Sequence, residues 1–130
     1  FIRGKLARFA DGNGFTAGFY DDGNLAGSIA LEYVDRPNLT TEIGYWLDAD
    51  AEGSGLVTTA CRRLIVYAFD ELDLNRVQIR CAADNARSRA IPEKLGFRQE
   101  GVIRQCERLH DRFVDLVLYG MLRHEWISEN

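Results

Sequence analysis

The sequence predicts a mixed α/β domain, a mostly antiparallel sheet built around one parallel strand pair and flanked by helices. Three extended runs follow one another through short turns, at residues 15–20, 25–34 and 41–47. A long helix with a broad apolar face then separates the run at 41–47 from another at 76–83, and a strand–helix–strand crossover makes its two strands parallel neighbours. At 130 residues the chain can bury one sizeable core and not two, so one domain is expected over residues 1–130.

At the start of the chain, Ile2, Leu6 and Phe9 recur at helical spacing, which predicts that residues 1–10 are the last part of an amphipathic helix closed by Asp11-Gly-Asn-Gly14. The chain opens on Phe1, without Met, inside that segment, so elements upstream are expected to be missing. Asp21-Asp-Gly-Asn24 joins the first two extended runs as a hairpin turn, because Gly and Asn tolerate positive φ. Asp35-Arg-Pro-Asn38 turns the chain into the third run, completing an antiparallel meander.

From Gly55 to about Glu71 the period changes. Leu56, Ala60, Leu64 and Tyr67 recur every three or four residues, flanked by Val57, Cys61, Ile65 and Ala68, a face wide enough to lie on a sheet. In 76–83, Val77, Ile79 and Cys81 alternate with Gln78 and Arg80, as in a strand. A short helix is expected at 86–95, with Asn85 as N-cap and Gly96 at the C-terminal cap position. Two long strands, at 97–109 and 113–122, turn at His110-Asp-Arg112.

Composition removes several classes. Apolar residues make up 46% and charged residues 28%, with 2 Pro and 12 Gly, which excludes collagen-like and disordered chains. The formal net charge of -4 disfavours DNA or a membrane surface as the main partner. No run approaches the roughly 18 apolar residues of a membrane span, and no signal-peptide pattern is present. Cys61, Cys81 and Cys106 form no CxxC pair, and His110 and His124 are the only histidines, so no metal site is expected. The cysteines read as buried thiols of a cytoplasmic protein, and a Cys–His nucleophile is disfavoured.

Asp50-Ala-Glu-Gly53-Ser54-Gly55 lies between a strand end and a helix start. Glycines there leave backbone N–H groups unobstructed, and the helix dipole favours a phosphate. Neither glycine is followed by Lys as a Walker loop requires, and the third glycine of a dinucleotide fingerprint is absent. The loop suits a phosphate without supporting ATP hydrolysis or hydride transfer, and a simple turn is an equal reading of it.

The company of this loop is more specific. Thr41-Glu-Ile-Gly-Tyr-Trp-Leu47, Gly53-x-Gly55, Arg76-Val-Gln-Ile-Arg80, Asn85-x-x-Ser88 and Glu93-Lys-Leu-Gly-Phe97 resemble the GNAT superfamily of acetyl-CoA-dependent N-acetyltransferases. The stretch from Gly96-Phe-Arg-Gln-Glu-Gly101 through Tyr119 resembles its ribosomal-protein N-terminal (alanine/serine) acetyltransferase branch. The resemblance runs from Phe15 to Trp126 and implies a GNAT-like acyl-CoA N-acyltransferase fold whose first strand and helices lie upstream.

It also implies roles. The central parallel pair, 41–47 and 76–83, would splay apart after a bulge marked by Gly44 and admit the pantetheine arm of acetyl-CoA along Trp46 and Leu47. The N–H groups of Gly53, Ser54, Gly55 and Leu56 would hold the pyrophosphate. Asp50 stands where the family usually has Gln or Arg, an acid near phosphates that weakens binding modestly. Asn85 would contact the pantetheine arm, or serve only as a cap. A backbone N–H between Gly44 and Trp46 would stabilise the oxyanion.

Many members place a tyrosine in the helix after Asn85 as general acid. This chain has none before Phe97, and the branch it resembles points to Ser88 for protonating the thiolate. Pro92, lacking N–H, cannot bond to the carbonyl of Ser88 and should kink or open the helix there. For the base, Glu107 matches the branch's proposed catalytic glutamate, with Glu42 the other option, as base, substrate contact or solvated edge. Asp115, across the last hairpin, is a candidate for binding a charged N-terminus.

Other residues read more plainly. Tyr45 and Trp46 brace the sheet or line the acceptor channel, and Phe97 is core. Arg98, Arg104, Arg108 and Arg112 form a wet strand face, or meet an acidic partner or rRNA. Arg87, Arg89 and Lys94 flank the expected cofactor mouth as candidates for the ribose 3'-phosphate.

The expected reaction is direct attack of a primary amine on acetyl-CoA in a ternary complex, the amine being a protein N-terminus, such as that of a ribosomal protein. A small-molecule or antibiotic amine is the alternative acceptor. A non-catalytic acyl-CoA sensor and an RNA-associated adaptor are rivals of other classes. A homodimer is expected from the resemblance alone.

Overall fold

The computed structural model describes residues 2–8, 14–21, 23–47 and 55–126. They form a seven-stranded sheet in the order β1-β2-β3-β4-β5-β7-β6. The strands are β1 (Ile2–Arg8), β2 (Phe15–Asp21), β3 (Asn24–Asp35), β4 (Thr40–Leu47), β5 (Arg76–Ala82), β6 (Arg98–Leu109) and β7 (Arg112–Leu122). The α-helices are α1 (Leu56–Val66), α2 (Ala86–Lys94) and α3 (Arg123–Trp126).

The opening segment is a correction. Residues 2–8 form an edge strand antiparallel to β2, pairing Ile2 with Asp21 through Arg8 with Phe15, and not the end of a helix. Ile2 and Leu6 lie four apart, a separation that serves one helix face and one strand face equally, so the apolar spacing carried no decision between them. The expected closure at 11–13 lies outside the described residues. Next, Asp21 pairs with Asn24 and Gly23 takes φ of +83°, as the hairpin chemistry required.

The crossover forms as expected, with a narrower contact. β4 and β5 are parallel, but only Thr40, Thr41 and Glu42 pair, with Arg76, Val77 and Gln78. Helix α1 starts behind Gly55, at φ +78°, and buries Val57, Cys61, Leu64 and Ile65. Its end widens into a π-helical turn at Tyr67–Glu71, which turns Ala68 and Phe69 into the core. Against that helix the sheet places Ile29, Leu31, Ile43, Val77, Ile79, Val117 and Tyr119, each at most 1% exposed.

Residues in register share a face, so Glu42, Gln78 and Gly120 stand in a row on the side opposite the core. That polar face carries Glu42, Gly44 and Trp46 of β4 beside Arg76, Gln78 and Arg80 of β5. Gly44 does not mark a bulge. The register shift lies on β3, between Leu31 and Tyr33, and leaves Glu32 as the extra residue. A Cβ at position 44 would meet the end of the Glu32 side chain, which would have to swing aside.

β6 is an edge strand with two irregularities, between Gln99 and Gly101 and between Ile103 and Glu107. Across the second, Arg104, Gln105 and Cys106 stand opposite Asp115, whose Oδ1 accepts the Gln105 N–H at 2.8 Å. This corrects the reading of Cys106, which is exposed while Cys61 and Cys81 are buried. A bulge breaks inward–outward alternation, and an edge strand has little above it to be buried by. Phe97 is buried as core, and Arg98, Arg104, Arg108 and Arg112 are exposed.

Truncating the core where α1 meets the sheet should be costly. Leu31→Ala removes a fully buried side chain, and a loss of about 2–5 kcal/mol in urea-denaturation stability is expected.

Candidate active site

Past the pair Glu42–Gln78, β4 takes no further strand partner on the β5 side among the described residues. The two strands diverge there, and alternate backbone N–H and C=O groups of Ile43–Leu47 face the gap. Glu42 stands at the parting point. It is 7% exposed, and its two oxygens are occupied by Gln78 Nε2 at 2.8 Å and Arg80 Nε at 2.9 Å. The reading of Glu42 as a solvated edge is therefore corrected: it is a buried carboxylate whose charge Arg80 matches. Gln78 and Arg76 extend the network, since Arg76 Nη2 donates to Gln78 Oε1 at 3.1 Å.

On the core side a single tyrosine spans the gap. Pro92 sits inside α2 and leaves the Ser88 carbonyl without its helical N–H donor. The Tyr45 hydroxyl donates to that carbonyl at 2.8 Å, and the Cys81 thiol stands 3.5 Å from both oxygens. Tyr45 is thus a brace between β4 and α2, while Trp46, its neighbour on the polar face, is 46% exposed. Burial keeps the Tyr45 phenol protonated, well above its usual range, and lifts the thiols of Cys61 and Cys81 likewise. Neither buried thiol is suited to act as a nucleophile.

Asn85 caps α2, its Oδ1 accepting the Ser88 N–H at 3.0 Å. This brings Asn85, Ser88, Tyr45 and Cys81 to one opening of the gap. Helix α1 starts behind Gly55 with no acidic residue in its first turn, and the dipole of such a start favours an anion. Gly55 and Leu56 belong to this start, whereas Asp50, Gly53 and Ser54 lie outside the described residues, as does the side chain of Leu47.

The structure does not bring every candidate together. Glu107 is exposed on β6, where pairing resumes opposite Val114, two strands away from β5. Near it a shallow pocket of about 250 Å³ is lined by residues including Asp84, Gln105, Phe113 and Asp115. Arg112 and Asp84, both in its lining, pair at 3.1 Å. Arg89 is also corrected as a phosphate ligand. It donates to the buried Tyr119 hydroxyl and to the Ala83 carbonyl, both at 3.0 Å. Tyr119 in turn donates to Glu93 at 2.6 Å, so Arg89 locks α2 onto the sheet.

One residue escaped the sequence reading. Glu32 reaches the polar-face mouth of the gap from the β3 bulge, and only the register of an irregular strand puts it there. Among the described residues no group of acidic, histidine and cysteine side chains could hold a metal ion, and no helix is long and apolar enough to cross a membrane.

Removing the hydroxyl of Tyr45 leaves the Ser88 carbonyl without its brace. Tyr45→Phe is expected to lower stability by about 1–3 kcal/mol and to weaken CoA binding, measured by denaturation and calorimetry.

Comparison with known proteins gives this geometry a family. Residues 1–98 match the acetyltransferase (GNAT) domain. A Bacillus subtilis (strain 168) protein named as a candidate ribosomal N-acetyltransferase, YdaF, is 48% identical over 94% of this chain and 67% of its own length. The ribosomal-protein-serine acetyltransferase of Escherichia coli (strain K12) is 34% identical over 79% of this chain and 58% of its own. Among solved structures, the ribosomal L7/L12 alpha-N-protein acetyltransferase RimL in complex with coenzyme A superposes with a TM-score of 0.79 at 25% identity, covering 88% of this chain and 65% of that one. The chain therefore spans about three fifths to two thirds of the length of these relatives. A parallel pair that parts after three residues, a braced gap and a family match over three quarters of the sequence agree, and this chain belongs to the GNAT acetyltransferase family.

Proposed function

We propose that this chain carries the catalytic fold of an N-acetyltransferase that moves acetyl from acetyl-CoA to a primary amine, most specifically the N-terminal α-amine of a ribosomal protein. The observation that carries the reading is the parting of β4 from β5 after Glu42 and Gln78. An open strand edge accepts an extended, amide-bearing chain as it would another strand, and the pantetheine arm of CoA has that chemistry. The residues present fit the group: the open edge of Ile43–Leu47, the glycine-led start of α1 at Gly55, and Asn85 at the head of α2. The ribosomal acceptor is supported by the names of the two relatives, YdaF and the Escherichia coli serine acetyltransferase.

Acetyl-CoA, when bound, supplies an acetyl group activated as a thioester. The chain's own residues then divide the work between the two openings of the gap. By the resemblance, the backbone N–H groups of Gly53, Ser54, Gly55 and Leu56 would hold the pyrophosphate. Along the β4 edge, Trp46 and Leu47 contribute backbone to the pantetheine arm, and an N–H between Gly44 and Trp46 stabilises negative charge on the carbonyl oxygen. Ser88, in the first turn of α2, holds a proton for the departing thiolate. Glu107, which the structure leaves exposed on β6 away from the gap, would accept the amine proton only once the bound acceptor or a chain of water spans to it. Glu42, pinned by Gln78 and Arg80, fixes where the gap begins.

A panel of Ser- and Ala-initiated peptides and small amines, incubated with the protein and acetyl-CoA, tests the reading through thiol release and product mass. Acetylated peptide is expected. Turnover of small amines alone would move the acceptor class, and absence of CoA binding would overturn the reading. Glu107→Gln should lower kcat by about 100-fold or more with CoA affinity retained, and Ser88→Ala should slow thiol departure by about tenfold. An unchanged kcat in either variant, at saturating amine, removes that residue from the chemistry.

A further inference from the structure

Two glutamates of the polar face occupy the same kind of place. Glu32 is the extra residue of the β3 bulge, and Glu100 is the extra residue where β6 slips between Gln99 and Gly101. Each carboxylate lies across a glycine of the neighbouring strand, Glu32 over Gly44 and Glu100 over Gly120. There the likeness ends. Glu100 is held by both Nη atoms of Arg76, at 2.7 and 2.9 Å, and that guanidinium keeps its carboxyl below the usual range. Glu32 has neither a hydrogen bond nor an ion pair among the described residues.

The surroundings of Glu32 make that charge available. On β4, Glu42 already takes the Arg80 Nε of β5. Arg76 of β5 is engaged by Glu100 and Gln78. Tyr33, next in the chain, contributes only a phenol whose ionisation burial and Glu42 oppose. Two carboxylates and one matched guanidinium thus leave a formal charge of -1 where β4 leaves β5, on the face opposite Asn85 and Ser88. With the acetyl donor lying along the gap from the helix side, the second reactant would meet it from the polar face.

We propose that Glu32 seats the ammonium form of the acceptor amine at the polar-face mouth of the β4–β5 gap, as a binding residue separate from the group that removes the proton. This rests on the acetyltransferase reading, and it assigns the acceptor a charged amine rather than an amide, hydroxyl or weakly basic aromatic amine. Glycine at position 44 leaves the Glu32 carboxylate room to lie over the strand, where a Cβ would push it aside.

The electrostatics supply a control. Partial burial, then Glu42, raise the Glu32 carboxyl above the ordinary range, with Arg80 acting in the opposite direction. A carboxyl raised by folding contributes stability below the unfolded carboxyl range and loses it as pH rises through the folded value. Glu32→Gln should therefore leave stability at neutral pH unchanged or increased, so that a loss of function is not a loss of fold.

The test measures acetyl transfer to a peptide beginning Ser-Ala for the wild type, Glu32→Gln and Glu32→Asp. Glu32→Gln is expected to raise the KM for the peptide by about tenfold, the worth of one charged hydrogen bond, with kcat and CoA affinity retained. The wild-type KM should rise as pH falls through the Glu32 titration, the variant should lack that rise, and Glu32→Asp should recover part of the affinity. An unchanged KM and pH profile in Glu32→Gln overturns the proposal. Carboxyl NMR of the wild type reads the same contact without turnover: the Glu32 resonance should move with the peptide and stay still with its N-acetylated form. An equal response to both also overturns it. Failure of the wild type to transfer acetyl, with the resonance still moved by the free amine alone, would overturn the transferase reading and leave the ammonium seat in place.

Discussion

The structure depends on one interruption, the end of parallel pairing between β4 and β5 after Glu42 and Gln78. A sheet that stops its own ladder leaves backbone groups to be satisfied elsewhere, and the strands would be expected to close if nothing held them. Two devices hold them. At the parting point Glu42 is fixed by Gln78 and Arg80, which joins the strands firmly just before they diverge. Beyond it, Tyr45 reaches from β4 to the Ser88 carbonyl of α2. Pro92 makes that carbonyl available, so one residue without an N–H, in a helix, supplies the acceptor that keeps a sheet open.

The gap divides the molecule into two chemical sides. The helix side is apolar and carries the neutral Tyr45 phenol and Cys81 thiol beside the capped start of α2. Across the sheet runs a continuous polar chain, Glu100, Arg76, Gln78, Glu42 and Arg80, with Glu32 standing outside its pairing. Ordered polar groups of this kind fix a surface more firmly than isolated ion pairs do, since each partner limits the rotamers of the next. A neutral arm and a cationic amine would then meet at the gap from opposite sides, each on the side whose chemistry suits it.

Legibility in the sequence followed periodicity. From residue 15 onward each expected strand and helix has its counterpart, because alternation and the 3.6-residue repeat were long enough to separate the two. Ile2 and Leu6 were too sparse to do so, and the strand at 2–8 was read as helix. Asn85, Ser88 and Pro92 were legible because their effects are local to one helix. Irregularities were not. The bulge at Glu32, the three-residue excursion at Arg104–Cys106 and the π-helical turn after Val66 are choices of register and pitch, made by what packs alongside. The exposure of Cys106 and the placing of Glu32 both follow from such choices.

By itself the sequence determined the order of elements, the crossover that makes β4 and β5 parallel, the cap and the proline of α2, and the family these belong to. These are properties of neighbours along the chain, governed by φ, ψ and hydrophobic period. Only the tertiary structure decided where the parallel pair stops, that Tyr45 takes the Ser88 carbonyl, that Glu42 is buried and matched, and that Glu32 lies over Gly44 unmatched among the described residues. These last depend on strand register, and register is set by packing across the sheet between residues far apart in sequence.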